Sequence, residues 1–249
     1  PANSKPFSSL LKVTNAQTQD RWYPTAVNTY KLSFVLDMSI ENSEALRSNL
    51  AYSMQYLEFL EKEIEELKLS DVIYTMLVKS YVVTGMSVLE GLFVNIVKSN
   101  GWWKTSTLES LGTTQANETR FGTEKIIVKT ELLKKVDEYP LQMNLDELIK
   151  ILERHHQALQ VNHLVYPALK RLKDLRNRVH LQKVEDRLDH DYNAFNFSVK
   201  KEMGGILYEI LSSPMVTRLP QNFEFLKKNT KGILLCLCIA IPCWILGQH

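Results

Sequence analysis

Between residues 43 and 69 the apolar positions Leu46, Leu50, Met54, Leu57, Leu60, Ile64 and Leu67 recur at steps of three and four, which lays them on one stripe of a helix. Asn42 or Ser43 can cap its start, and Glu44 suits the positive end of the helix dipole. The acids between Glu58 and Glu66 read as its solvated face. A second helix is predicted from Ser70 or Asp71 to about Ser99. It is apolar nearly all round, with Asp71, Lys79 and Glu90 as interruptions, and such a helix belongs at the centre of a bundle. Upstream, Tyr30 to Val35 alternates weakly, as a short strand would.

Downstream of Asn100-Gly101 the pattern lapses. Residues 100–122, rich in Ser, Thr, Asn and Gly, read as a loop insertion that Trp102 and Trp103 pin to the bundle. Residues 124–136 read as a short apolar run, Ile126-Ile127-Val128, followed by a helical segment that Pro140 closes. Further helices are predicted from Asp146 to about His156, from about His163 to Gln182, and from Phe197 to Leu211. The expected fold class is all-α: an irregular four- to five-helix bundle over residues 43–213 with small non-helical additions. It is flanked by an N-terminal extension, 1–42, and a C-terminal tail, 214–249.

Composition changes this picture little. A net charge of +2 over 249 residues gives no global reason to expect nucleic-acid binding, so electrostatics must be read locally. The cysteines, Cys236, Cys238 and Cys243, crowd one end and frame no disulfide scaffold, which makes the cytoplasm the default compartment. No signal peptide is visible in the first residues. Within the tail, Gly232 to Gly247 is uncharged and follows Lys227, Lys228 and Lys231. It reads as a buried core element, as a short membrane anchor on the inner face of a membrane, or as an aberrant tail. As a helix it would span about 24 Å, short of a hydrocarbon core of roughly 30 Å.

The local charge lies on the helix of residues 163–182. Val165, Ala168, Leu172, Leu175 and Val179 form its buried stripe. Lys170, Arg171, Lys173, Arg176, Arg178 and Lys183 are opposed in sequence only by Asp174. Asp174 lies four residues before Arg178, the spacing of a helical ion pair. Arg176 has no acidic helical neighbour, so its fork is available to a phosphate or to an acid on another helix, with Glu90 one such acid. His180 continues the Leu172–Arg176 row by another four residues, and the adjacent cation disfavours its protonation. An Arg to hold phosphate and a His to move a proton are the minimum for cleaving RNA without a metal, the 2′-hydroxyl acting as nucleophile. The plainer alternative is a solvated basic face. Asp189-His190-Asp191 has the residue types of a metal cluster but a turn-like setting, and neither metal nor cofactor is expected. Gly-rich phosphate loops and a Gly-x-Ser-x-Gly elbow are absent from the sequence.

The stretch Leu172-Lys173-Asp174-Leu175-Arg176-Asn177-Arg178-Val179-His180 resembles the signature helix of bacterial HEPN-domain proteins, in which an Arg, then a polar residue such as Asn, precede a His four to six residues on. Asp191-Tyr192-Asn193 and Phe195 just downstream share the likeness, and Ser87 to Phe93 resembles an early helix of the same bundle more loosely. Here three residues separate Arg176 from His180. The resemblance implies a helical bundle that forms a homodimer with two Arg/His pairs in one cleft. It further implies a metal-independent endoribonuclease in a toxin–antitoxin or phage-defence setting, with an antitoxin or other protein as partner. By position, Arg176 would bind the scissile phosphate and His180 would act as acid or base. Asn177 would orient the phosphate, and Lys173 would add to substrate binding. The competing expectation is a non-catalytic helical module that binds RNA or a partner protein, with membrane contact through 232–247 compatible with either.

Overall fold

A computed structural model describes residues 22–179 and 190–232. Short helix α1, Val27–Ser33, opens the described chain where alternation suggests a strand. Tyr30 within it and Phe34 just after it turn inward against Phe223, with ring centroids 5.7 and 5.8 Å apart. The burial of one helical face wins over local alternation. Helix α2, Ser43–Glu66, buries Leu50, Met54, Leu57 and Leu60 as its stripe predicts. Asn42 sits at its N-cap in a left-handed conformation without a side-chain cap bond, and the Ser43 hydroxyl donates to the Asp37 carbonyl instead. Helix α3, Asp71–Ser99, packs against α2 and the later helices. By length and composition α3 could cross a membrane, and half of its most apolar window is buried in the protein. Its two glycines permit close approach: a Cβ at Gly91 would lie 2.8 Å from Leu46 Cδ1, and one at Gly85 would lie 3.0 Å from Met203 Cε.

The all-α expectation is wrong at residues 105–140. They form one long antiparallel hairpin, β1 Thr105–Phe121 and β2 Glu124–Pro140, where a loop and a helical segment were predicted. At about 3.3 Å per residue each 17-residue strand reaches about 55 Å, so this is no small addition. The tip is a two-residue Gly122-Thr123 connection with φ of +63° at Gly122, a conformation that glycine accepts without strain. The strands pack extensively only on each other. At the root, Trp102 stacks on His155 (4.1 Å), Trp103 Nε1 donates to the Leu141 carbonyl (2.9 Å), and Lys104 Nζ lies 2.5 Å from Glu147.

Beyond the hairpin, α4, Leu145–Arg154, starts on a capping box between Asn144 and Glu147. Helix α5, Val165–Arg176, passes into a 3-10 turn, Asn177–Val179, and so ends earlier as an α-helix than predicted. Val179, expected in the buried stripe, is exposed there. One turn of helix, α6 Asp191–Ala194, precedes α7, Phe197–Leu211. A run of 3-10 turns, Pro220–Gly232, then packs on α7 and α1. Tyr30, Phe34, Val216, Phe223 and Leu226 belong to the same hydrophobic cluster as the bundle, so segments on both sides of 43–213 share its core.

The acidic face of α2 is not wholly solvated. Glu61 is buried and pairs with the equally buried Lys200 of α7, whose Nζ also donates to Asn229 Oδ1 at 3.1 Å. Glu58 accepts from the Tyr30 hydroxyl at 2.8 Å and the Thr25 amide at 3.0 Å. Burial and the Glu58 charge push the Tyr30 phenol far above its ordinary pKa.

Candidate functional site

Helix α5 lies among α3, α4 and α7, and its cations meet carboxylates on all three. Lys170 Nζ is 2.6 Å from Glu153 and Lys173 Nζ is 2.6 Å from Asp146, both acids on α4. Arg171 pairs with Glu202 of α7 through two of its nitrogens. Arg176 Nη2 donates to Glu90 Oε2 of α3 at 2.7 Å, with each side chain about 30% exposed (31% and 30%). Two of the charges that interrupt the apolar pattern of α3, Lys79 and Glu90, are therefore engaged by α5 and the chain that follows it.

Lys173, expected to bind substrate, is largely covered, its side chain 16% exposed. The Asp146 carboxylate raises its ammonium pKa, and Asp174 adds to the effect at 3.3 Å. Asp174 thus neighbours Lys173 and makes no ion pair with Arg178. The i, i+4 geometry assumed for that pair is lost because α5 ends as an α-helix at Arg176. Asn177 is half-buried, and its side chain makes no hydrogen bond among the described residues. His180 lies outside the described residues, as do Asp189 and the segment 233–249. The α-helical register that aligned His180 with Arg176 continues only to Arg176.

Lys79 is the residue that the sequence reading missed. Buried on α3, it donates to the Arg178 carbonyl at 3.0 Å and to Asp191 Oδ2 at 2.7 Å. One buried cation thus binds the chain on both sides of residues 180–189. The signal in the sequence was a lone lysine on an otherwise apolar helix, because a buried ammonium needs partners.

No family model, curated protein or solved structure matches the chain.

What remains is the site's own geometry. Among the described residues no cluster of His, Cys, Asp and Glu could hold a metal ion. Asp191, one end of the sequence cluster at 189–191, is bound to Lys79. His155 stacks on Trp102, and His163 meets His156 and Tyr166 edge-on at 6.0 and 5.4 Å. Asp146 accepts from Lys150 and Lys173, which hold its pKa down at about 2. Chemically, this face of α5 is a set of ion pairs between helices, that of Arg176 with Glu90 among them.

Proposed function

We propose that this chain is a non-catalytic helical interaction module that engages a partner protein through its β-hairpin arm. One observation carries the reading: Lys170, Arg171, Lys173 and Arg176 are each engaged by a carboxylate of another helix. Nucleic-acid backbones are bound by cations that can trade counterions for phosphates. Here that trade would first have to break contacts that hold α5 to α3, α4 and α7. The arm, in contrast, presents half-exposed Ile127, Val128, Leu132 and Leu133 beyond the helical body, a surface suited to protein contact.

A second reading has one observation in its favour. Arg176 meets Glu90 through a single nitrogen, at a partly open position beside Asn177, whose amide is unengaged among the described residues. In that reading the protein is a HEPN-like, metal-independent endoribonuclease of a bacterial defence system. Arg176 would hold the phosphate, Asn177 would orient it, and His180 would move the proton.

RNA incubated with the purified protein in EDTA distinguishes the two. We expect no cleavage. We also expect Arg176→Ala and Glu90→Ala each to cost about 1 kcal/mol in urea unfolding, with a coupling energy of about 0.5–1 kcal/mol in the double-mutant cycle. RNA cleavage that vanishes in Arg176→Ala or His180→Ala protein of unchanged stability would establish the second reading and remove the first.

A further inference from the structure

The two strands of the arm have different edges. The register slips at three places. Between Ser110 and Gly112, and again between Gln115 and Glu118, the extra residue lies on β1. Strand β2 carries no extra residue from Glu124 to Lys135; its own irregularity falls nearer the root, between Lys135 and Tyr139. Bulges bend a strand and interrupt its row of amides and carbonyls, which is how edges are kept from pairing. By that criterion the β1 edge is blunted and the β2 edge is open for most of its length.

The middle of β2 is also complementary to itself. Antiparallel pairing with a second copy about a two-fold axis at Thr130 sets Lys129 opposite Glu131 of that copy, Val128 opposite its Leu132, and Ile127 opposite its Leu133, each match occurring twice. Moving the axis by one residue places Lys129 on Lys129 or Glu131 on Glu131 and opposes charges to apolar side chains. Within the hairpin, Lys129 faces Gln115 and Glu131 faces Thr113, and neither has an ion pair among the described residues. By contrast, Lys125 is bridged to Glu118 at 3.5 Å and Glu109 faces Lys134. Ile127, Val128, Leu132 and Leu133 are 51, 47, 51 and 49% exposed, so the apolar side chains that the pairing would match are those the hairpin leaves open. A two-stranded ribbon without a core is marginal by itself, and pairing β2 to β2 would convert two ribbons into one four-stranded sheet.

We infer that the arm's partner is a second copy of this chain, joined edge to edge along β2 about Thr130. The inference rests on the reading of the arm as the partner-binding element. Light scattering on the full chain tests it. The wild type is expected at twice the 28.8 kDa chain mass. Lys129→Glu and Glu131→Lys should each weaken the dimer by roughly tenfold or more, because two attractive pairs become repulsive. An equimolar mixture of the two single variants should dimerise again, since each then supplies the charge the other lacks, and so should the doubly swapped protein. Far-ultraviolet circular dichroism checks that the helical body stays folded throughout. A monomeric wild type, single swaps that remain fully dimeric, or mixed variants that stay monomeric would each overturn the inference. None of these results bears on the RNA cleavage test, so the two readings can fail separately.

Discussion

Asp146 sits in the first turn of α4 between two ammonium groups, Lys150 one turn along and Lys173 on α5, each 2.6 Å from one of its oxygens. The hydrogen bond from Lys150, then that from Lys173, lowers its pKa from 3.8 to about 2. A carboxylate more acidic in the folded than in the unfolded chain stabilises the fold fully above the unfolded value. That contribution falls away as the pH drops through the range from about 4 to about 2. Asp146→Asn removes it at every pH. The gap in urea midpoint between wild type and Asp146→Asn should therefore be widest near neutrality and shrink towards pH 2, because other carboxylates titrate alike in both proteins. A gap that stays constant would mean that the α4–α5 contact does not depend on the Asp146 charge. The same residue shows why the basic run could not be interpreted from α5 alone: its counter-charge lies 27 positions away.

At the scale of elements, helices with an apolar stripe could be read directly. Residues 43–69 and 70–99 were expected and Ser43–Glu66 and Asp71–Ser99 are found, and Phe197–Leu211 agrees at both ends. Those periodicities exist because a core lies against one face. The hairpin has no core against it, so selection for burial leaves no alternating pattern on β1, and its Ser, Thr and Asn read as a loop. On β2 the Leu-Leu-Lys-Lys-Val stretch resembles an amphipathic helix, and only its β-branched neighbours hint at strand. Of the site, Glu90 was visible as a charge on an apolar helix, but the reach of Arg176 to it is a tertiary fact. The buried pair between α2 and α7 was invisible because Glu61 is one acid among several and Lys200 one lysine beside another. That pair yields a prediction at this scale. Lys200→Ala removes the buried cation of Glu61 and leaves it only the half-exposed Lys228 at 3.4 Å and the Asn229 amide at 3.2 Å, so it should cost about 3 kcal/mol in urea unfolding. A double change to similar-sized apolar residues, Glu61→Leu with Lys200→Met, should recover much of the loss. If Lys200→Ala costs less than about 1 kcal/mol, the α2–α7 contact does not rest on the pair.

For the molecule as a whole, the question is whether arm and body form one cooperative unit or two. The helices share one hydrophobic cluster that runs from Tyr30 to Leu226, and Trp102 and Trp103 pack against it, whereas none of the described side chains of β1 and β2 belongs to it. Leu141 donates its amide to the Lys104 carbonyl at 2.9 Å, so the chain is already closed at the root before the arm begins. Thr105 and Pro140 are paired across the ribbon, the spacing that a two-residue turn joins. Replacing residues 106–139 by Asn-Gly should therefore leave the body folded. Its unfolding free energy in urea should change by less than about 1 kcal/mol, because few apolar contacts cross the junction and a shorter closed loop costs less entropy. Near-ultraviolet circular dichroism, which reports Trp102 and Trp103 in their packed setting, should keep its shape. A body that melts without the arm would show that the ribbon stabilises the helices through contacts at its root. A body that stays folded but no longer associates would place stability in the helices and association in the arm, the division of labour that the proposed pairing along β2 predicts.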